Sequence, residues 1–112
     1  MSKGEEKIFN YLKSKNNSSI FQYRIDECKN ILPLPFDFYV PMYKLLIEYD
    51  GKQHFEPIFG KNTLEKTIKN DNIKNQFCAN NSDKYNFIRI PYTEFDNIET
   101  ILDEKINNIK NN

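Results

Sequence analysis

The segment from Leu45 to His54 constrains the fold of this chain more than any other. It reads Leu-Leu-Ile-Glu-Tyr-Asp-Gly-Lys-Gln-His, an apolar run that ends in two carboxylates and leads to the only histidine. Side chains alternate along a β-strand, so Glu48 and Asp50 lie on one face and Tyr49 on the other. The segment therefore predicts a strand whose end carries two acids side by side.

A second strand, Phe36 to Val40, lies just upstream and supplies a third acid. Its predicted apolar face consists of Phe36, Phe38 and Val40, and Asp37 points the opposite way. Three residues that begin with a proline separate it from the strand over 44–50, a spacing that suits a hairpin turn. We therefore expect antiparallel neighbours on which the three carboxylates converge.

The rest of the chain alternates between helical and strand patterns in the order αβββαβα. Ser2 and Glu5 have capping-box spacing at the start of the first helix, and Asp96 and Glu99 have the same spacing at the start of the last. The strand over 85–92 is apolar on both faces, which favours a central position. The patterns predict helices over residues 3–15, 63–81 and 98–109, strands over 20–25, 36–40, 44–50 and 85–92, and a connector over 26–35.

Length and composition limit the protein class. At 112 residues the chain can form one core but not two, so we expect a single domain over 1–112. Sixteen basic residues balance sixteen acidic ones, so any binding to nucleic acid must use a local patch. No apolar run approaches the ~20 residues that span a bilayer, and we expect no membrane contact. Two cysteines without CxxC spacing, Cys28 and Cys78, favour an intracellular, cytoplasmic protein.

The three strand acids, Asp37, Glu48 and Asp50, are candidate metal ligands. Acids are depleted from strands, and an unpaired acid in a strand covered on both faces is costly. Mg²⁺ takes oxygen ligands and keeps several waters, so one or two carboxylates are enough to bind it. The alternative is an edge sheet whose polar face is simply solvated.

Three further residues are candidates to complete such a site. Glu5 either serves only the capping box or faces the acids, because it is in line with the sheet-facing stripe of its helix. His54, with an ordinary pKa near ~6.5, is either a proton acceptor for an attacking water or a hydrogen-bonded structural group. Asp71 either joins the site or forms an ion pair with Lys74 on the same helix.

Three residues are candidates for contact with the substrate, namely Lys52, Gln53 and Lys74. The first two follow the acidic strand directly and would reach the backbone of a bound nucleic acid. A solvated loop explains these two as well.

Four motifs occur in a fixed order along the chain: Pro-Phe-Asp-Phe-Tyr-Val-Pro, Ile-Glu-Tyr-Asp-Gly-Lys-Gln-His-Phe, Asn-Asp-Asn-Ile-Lys-Asn-Gln-Phe-Cys and Ile-Arg-Ile-Pro-Tyr. Together they resemble the EDxHD homing-endonuclease domains, which are relatives of the very-short-patch repair endonucleases within the PD-(D/E)xK nuclease superfamily. The resemblance runs from Gly4-Glu5 to the last helix, which is nearly the whole chain.

The resemblance implies a restriction-endonuclease-like fold of the α/β (α+β) class, with a mixed central β-sheet of about four strands flanked by helices. It also implies hydrolysis of phosphodiester bonds in DNA with Mg²⁺ or Mn²⁺. The wider superfamily has a catalytic lysine where this chain has Asp50, so His54 is the candidate to take over the role of that lysine. The residues that match the family's catalytic positions are Glu5, Asp37, Glu48, Asp50, His54 and Asp71.

We therefore expect a metal-dependent DNA endonuclease. Homing endonucleases of this kind carry an added DNA-recognition region for which this chain has no room, so we expect a homodimer or a separate DNA-recognition chain. One alternative is a catalytically degenerate nuclease fold that binds DNA or a protein without cutting. RNA is a further alternative substrate, since no residue pattern here reads or excludes a 2′-hydroxyl.

Overall fold

The computed structural model describes residues 1–112 and contains one four-stranded sheet packed between helices. The elements follow the order αβββαβα, so the predicted α/β class with a mixed sheet of about four strands is confirmed. No helix combines the length and the apolar character needed to cross a membrane. The elements are α1 (Lys3–Ser14), β1 (Ile20–Lys29), β2 (Pro33–Val40), β3 (Leu45–Asp50), α2 (Lys61–Asn80), β4 (Asn86–Pro91) and α3 (Ile98–Lys110).

The strands lie in the order β1-β2-β3-β4, and only the pair β3 and β4 is parallel. β4 is therefore an edge strand, and the predicted central position is wrong. Ile88 and Ile90 of β4 pack on one side of the sheet, and Phe87 packs on the other. Since helices cover both faces of β4, its two apolar faces reflect that coverage and not a second neighbouring strand.

The β1–β2 hairpin is longer than the sequence pattern predicts. β1 continues to Lys29 and β2 begins at Pro33, so the prediction of a connector over 26–35 is wrong. The pairing register shifts between Arg24 and Lys29, and only two of the ten residues of β1 are buried. An irregular, largely exposed strand lacks the period-two alternation on which the prediction depends.

The side chains of β2 change faces at Asp37. Phe38 and Val40 lie in the core beneath α1 and α3, whereas Phe36 lies in a second core beneath α2. The prediction that these three form one apolar face is therefore wrong. Gln22, which lies opposite Asp37 in β1, has a left-handed backbone with φ of 57°. Such a residue disturbs the regular pleat, which explains why the alternation breaks here.

α2 crosses the second face of the sheet in the direction opposite to β3. Asp71 lies beside Asp50, the last residue of β3, and Lys74 bonds to Glu48, two residues earlier in the strand. The C-terminal half of α2 therefore covers β3, and the acids at the end of the strand face this helix.

α3 begins at Ile98, directly after a six-residue 3₁₀ segment. Asn97 occupies the N-cap position and its side chain makes no capping hydrogen bond, so the predicted cap by Asp96 and Glu99 is wrong. The preceding 3₁₀ turns already include Asp96, which removes it from the extended conformation that a capping residue adopts.

Candidate active site

The carboxylates of Asp37 and Glu48 accept backbone hydrogen bonds across the two strands where β2 and β3 separate. The regular pairing of the two strands ends at Phe38 and Ile47. Beyond that point the N–H of Asp37 donates to Oε1 of Glu48 at 3.1 Å, and the N–H of Tyr49 donates to Oδ2 of Asp37 at 2.7 Å. The two carboxylates thus replace the missing ladder bonds, and the sheet itself fixes their positions.

Glu48 is almost fully buried and has one cationic partner. Its carboxylate accepts a hydrogen bond of 3.0 Å from Nζ of Lys74, which reaches in from α2. Glu48 is 2% exposed and Lys74 is 8% exposed. The ammonium group of Lys74 also lies 5.5 Å from the ring centre of Phe36, so it makes a cation–π contact as well as the ion pair.

The environment of Asp37 disfavours its negative charge. Burial and the neighbouring carboxylate of Glu48 raise the pKa of Asp37 to about 8, although the N–H of Tyr49 opposes the shift. Glu5 adds to this rise. Burial likewise raises the pKa of Glu48, against the effect of Lys74. With a pKa of about 8, Asp37 therefore retains a proton near neutral pH.

A hard divalent cation fits this pair of acids. Both donors are oxygens, which Mg²⁺ and Mn²⁺ prefer, and two carboxylates are sufficient when water completes the coordination shell. A cation would also favour the ionised form of Asp37, whose pKa is raised by burial and by Glu48. The donor set is therefore chemically compatible with Mg²⁺ or Mn²⁺, and the metal stays a prediction.

A second group lies beside the first at the end of β3. One ligand atom each of Asp50, His54 and Asp71 lies within 4.8 Å of the others. Nδ1 of His54 is 2.8 Å from Oδ2 of Asp71 and 3.5 Å from Oδ1 of Asp50. A carboxylate accepts only, so Nδ1–H donates to Asp71 and neutral His54 carries its lone pair on Nε2.

Hydrogen bonds, neighbouring charges and burial shift the pKa values of the residues in this second group. The hydrogen bond to Asp71 raises the pKa of His54 above its ordinary value, against the effect of burial. Burial alone would raise the pKa of Asp71, but the bond from His54 and the nearby Arg89 bring it below its usual range. For Asp50, burial outweighs Arg89 and His54, so its pKa is raised.

Arg89 of β4 joins the second group and was missed by the sequence analysis. Its Nη1 donates to Oδ1 of Asp50 at 2.7 Å, its Nη2 to the backbone oxygen of Asp71 at 3.2 Å, and its Nε to Asn75 at 2.7 Å. The signal that could have found it is a charged residue inside an apolar strand. Its neighbour in the parallel pairing is Glu48, which places it next to the acids.

The structure divides the three predicted metal ligands between these two groups. Asp37 and Glu48 share the first, whereas Asp50 belongs with His54 and Asp71 in the second. Glu48 and Asp50 do share the face beneath α2, but each bonds to a different basic side chain. A compact cluster of all three carboxylates is therefore not formed.

Glu5 has the capping role that the sequence allowed. Ser2 and Glu5 form the complete capping box, with bonds of 2.8 and 3.1 Å. Glu5 is nevertheless close enough to affect the pKa of Asp37. Gly4 permits the close packing of α1 here, because a Cβ at this position would overlap the outer atoms of the Tyr49 ring. α1 thus contacts β3 at a position that only glycine allows.

Of the predicted substrate contacts, only Lys74 lies in either group. It bonds to Glu48, and its alternative ion pair with Asp71 is not formed. Lys52 is exposed, and its Nζ lies 3.6 Å from Oε2 of Glu56. Gln53 is exposed in the same turn. The turn places both at the rim beside His54.

Comparisons of the chain with models of protein families, with curated proteins and with solved structures give no match.

Proposed function

We propose that this protein is a divalent-metal-dependent endodeoxyribonuclease that hydrolyses phosphodiester bonds in DNA. The observation that carries the proposal is the pair Asp37 and Glu48, two neighbouring strand carboxylates of which Glu48 is buried against the ammonium group of Lys74 and Asp37 is half-buried. Beside them His54 is oriented by Asp71 with Nε2 free to accept a proton. Carboxylates that can hold a metal, next to an oriented general base, are the groups that hydrolytic cleavage of a phosphodiester bond requires.

Asp37 and Glu48 would hold the cation, with Mg²⁺ or Mn²⁺ as the candidates. When bound, the metal would acidify a water molecule and stabilise the negative charge that develops on the phosphate. Asp37 would lose its proton in this role, and Lys74 favours the ionised form of Glu48 against the effect of burial. The backbone bonds to both strands keep these carboxylates from moving.

His54 would accept the proton of the attacking water at Nε2. The bond from Nδ1 to Asp71 sets the tautomer and stabilises the imidazolium ion that forms. Arg89 holds Asp50 and the backbone of Asp71 in place, so it acts as a positioning residue. The four sequence motifs that resemble the EDxHD and very-short-patch repair nucleases support the same activity.

The free, buried thiols of Cys28 and Cys78 are compatible with an intracellular, cytoplasmic site of action, which we include in the proposal. DNA is the proposed substrate, and any homodimer or recognition chain is a further component of the proposal.

Cleavage of supercoiled plasmid DNA tests the proposal. We expect nicked or linear product with Mg²⁺ or Mn²⁺, none with EDTA, and none from Asp37→Asn. Asp83→Asn is the matched control, because Asp83 is exposed and precedes β4, at the end of the strands opposite to the acids. Equal activity of the parent and Asp37→Asn, or activity that survives EDTA, would contradict the proposal.

A second candidate is a nuclease fold that binds DNA or a protein without cutting. The ion pairs favour it: Glu48 bonds to Lys74 and Asp50 to Arg89, so most of the acidic charge is neutralised without a metal. The two candidates differ in turnover. Plasmid that stays supercoiled in every metal, while a labelled duplex is bound, would support the binding module.

A further inference from the structure

The N-terminal half of α2, residues 61–70, extends beyond the end of β3, and we call it the overhang. Asp71 lies beside Asp50, where β3 ends, so the ten residues before Asp71 continue past the strand. At 1.5 Å per residue they extend by about 15 Å. None of the ten is buried, whereas Lys74 and Cys78 in the other half are. Seven of the ten are exposed, so packing contributes less to this half of the helix than to the other.

The overhang is basic in a chain whose formal net charge is zero. It carries three lysines and one glutamate, and most of its other side chains are amides and hydroxyls. The first turn contains no acidic residue, and Gly60 provides no side-chain cap. Lysines near the N-terminal end of a helix lower its stability, since that end already carries partial positive charge. The lysines are Lys61, Lys66 and Lys69, and the polar residues are Asn62, Thr63, Thr67 and Asn70.

The overhang ends at the candidate active site. Asn70, its last residue, accepts a hydrogen bond of 3.3 Å from Asn30 at the tip of the β1–β2 hairpin. The next residue, Asp71, orients His54. A molecule that lies along the overhang therefore reaches the acids at the end of β3.

We propose that the overhang is the docking element for duplex DNA. This inference rests on the proposed nuclease function and assigns the surface that brings the substrate to the site. Lysines on an exposed helix suit the phosphates of a duplex, and the major groove, about 12 Å wide, admits an α-helix. Amide and hydroxyl side chains can reach base edges, and Ile68, 45% exposed, can contact a thymine methyl. The overhang thus supplies the local basic patch that a neutral chain needs.

Fluorescence anisotropy with a labelled duplex of mixed sequence, roughly 30 base pairs long, tests this surface under EDTA, where no cleavage occurs. The variant Lys61→Gln/Lys66→Gln/Lys69→Gln should bind at least about tenfold more weakly at low salt. The slope of log affinity against log salt should fall by about 2.7, for three lost phosphate contacts. The control is Lys13→Gln/Lys15→Gln/Lys84→Gln, the same charge change at exposed lysines outside the overhang. It should leave the slope nearly unchanged.

Several outcomes would overturn the inference. They are an equal loss in both triple variants, no loss in the first, and a parent protein that does not bind the duplex. A dimer of the parent that Ile68→Asp dissociates would also contradict it, because a second copy would then cover the overhang. Binding that depends on the overhang without cleavage in any metal would refute the nuclease and leave the docking surface standing. Cleavage by the first variant with unchanged affinity for the duplex would refute the docking surface and leave the nuclease standing.

Discussion

Nζ of Lys74 lies 3.0 Å from Oε1 of Glu48, and both side chains are almost completely buried between α2 and β3. Loss of one member of such a pair leaves the other charge buried without a partner. We therefore expect Lys74→Met to lower the free energy of unfolding by about 3–5 kcal/mol at pH 8. Burial raises the pKa of Glu48, so the deficit should shrink at pH 5, where the carboxylate can take up a proton. Urea unfolding at the two pH values measures this.

Lys69→Met is the matched control for Lys74→Met, since Lys69 is exposed on the same helix and makes no ion pair. It should change the free energy of unfolding by less than about 0.5 kcal/mol. A deficit for Lys74→Met as small as that of the control would contradict the buried pair.

The raised pKa of Asp37 should make the free energy of unfolding depend on pH. Burial and Glu48 raise the pKa of Asp37 to about 8 in the folded chain, against ~3.9 for an unperturbed aspartate. The folded state therefore binds more protons between these values, and this group's contribution makes stability fall as the pH rises from about 4 to about 8. Asp37→Asn should remove that fall. Thermal unfolding without metal measures it, and identical pH profiles for the two proteins would contradict the assignment.

His54 is the only histidine, so its imidazole signals can be assigned in an NMR titration without ambiguity. The bond to Asp71 raises the pKa of His54, and Asp71→Asn should return it toward ~6.5. Plasmid cleavage should increase with pH through the pKa of His54, since only neutral imidazole accepts a proton. In Asp71→Asn this rise should begin at lower pH, and the plateau rate should be lower by about 10²-fold. An unchanged NMR titration in Asp71→Asn would contradict the pair.

Gly4 should tolerate no side chain. A Cβ there would overlap the outer atoms of the Tyr49 ring, so either this ring or α1 would have to shift. We expect Gly4→Ala to lower the free energy of unfolding by about 1–3 kcal/mol, although alanine favours helices. Asn10→Ala, at an exposed position of the same helix, is the control and should be neutral or stabilising. Equal stability of the two variants would show that the helix accommodates the methyl group.

Local patterns in the sequence were sufficient for the order of the elements and for part of the site. The alternation in β3 placed Glu48 and Asp50 on one face, and the spacing of Ser2 and Glu5 predicted the capping box that forms. These features depend on residues within a few positions of one another. For the same reason the order αβββαβα was predictable.

The remaining features depend on residues distant in the chain. Lys74 could have paired with Asp71 on its own helix, and only the position of α2 over β3 brings it to Glu48 instead. Arg89 reaches Asp50 because β4 lies parallel to β3 in one register. Apolar residues on both faces of β4 indicate that helices cover it, but they do not indicate how many strands flank it.

Binding of Mn²⁺ to Asp37 and Glu48 can be measured directly by isothermal titration calorimetry of the parent and of Asp37→Asn at pH 6.5 and pH 8. The parent should bind more tightly at the higher pH, because the metal must displace the proton that burial keeps on Asp37. Asp37→Asn should bind much more weakly at both values, and Asp83→Asn should match the parent. Binding by the parent that is absent at both pH values, or that Asp37→Asn leaves unchanged, would contradict a metal site at these two carboxylates.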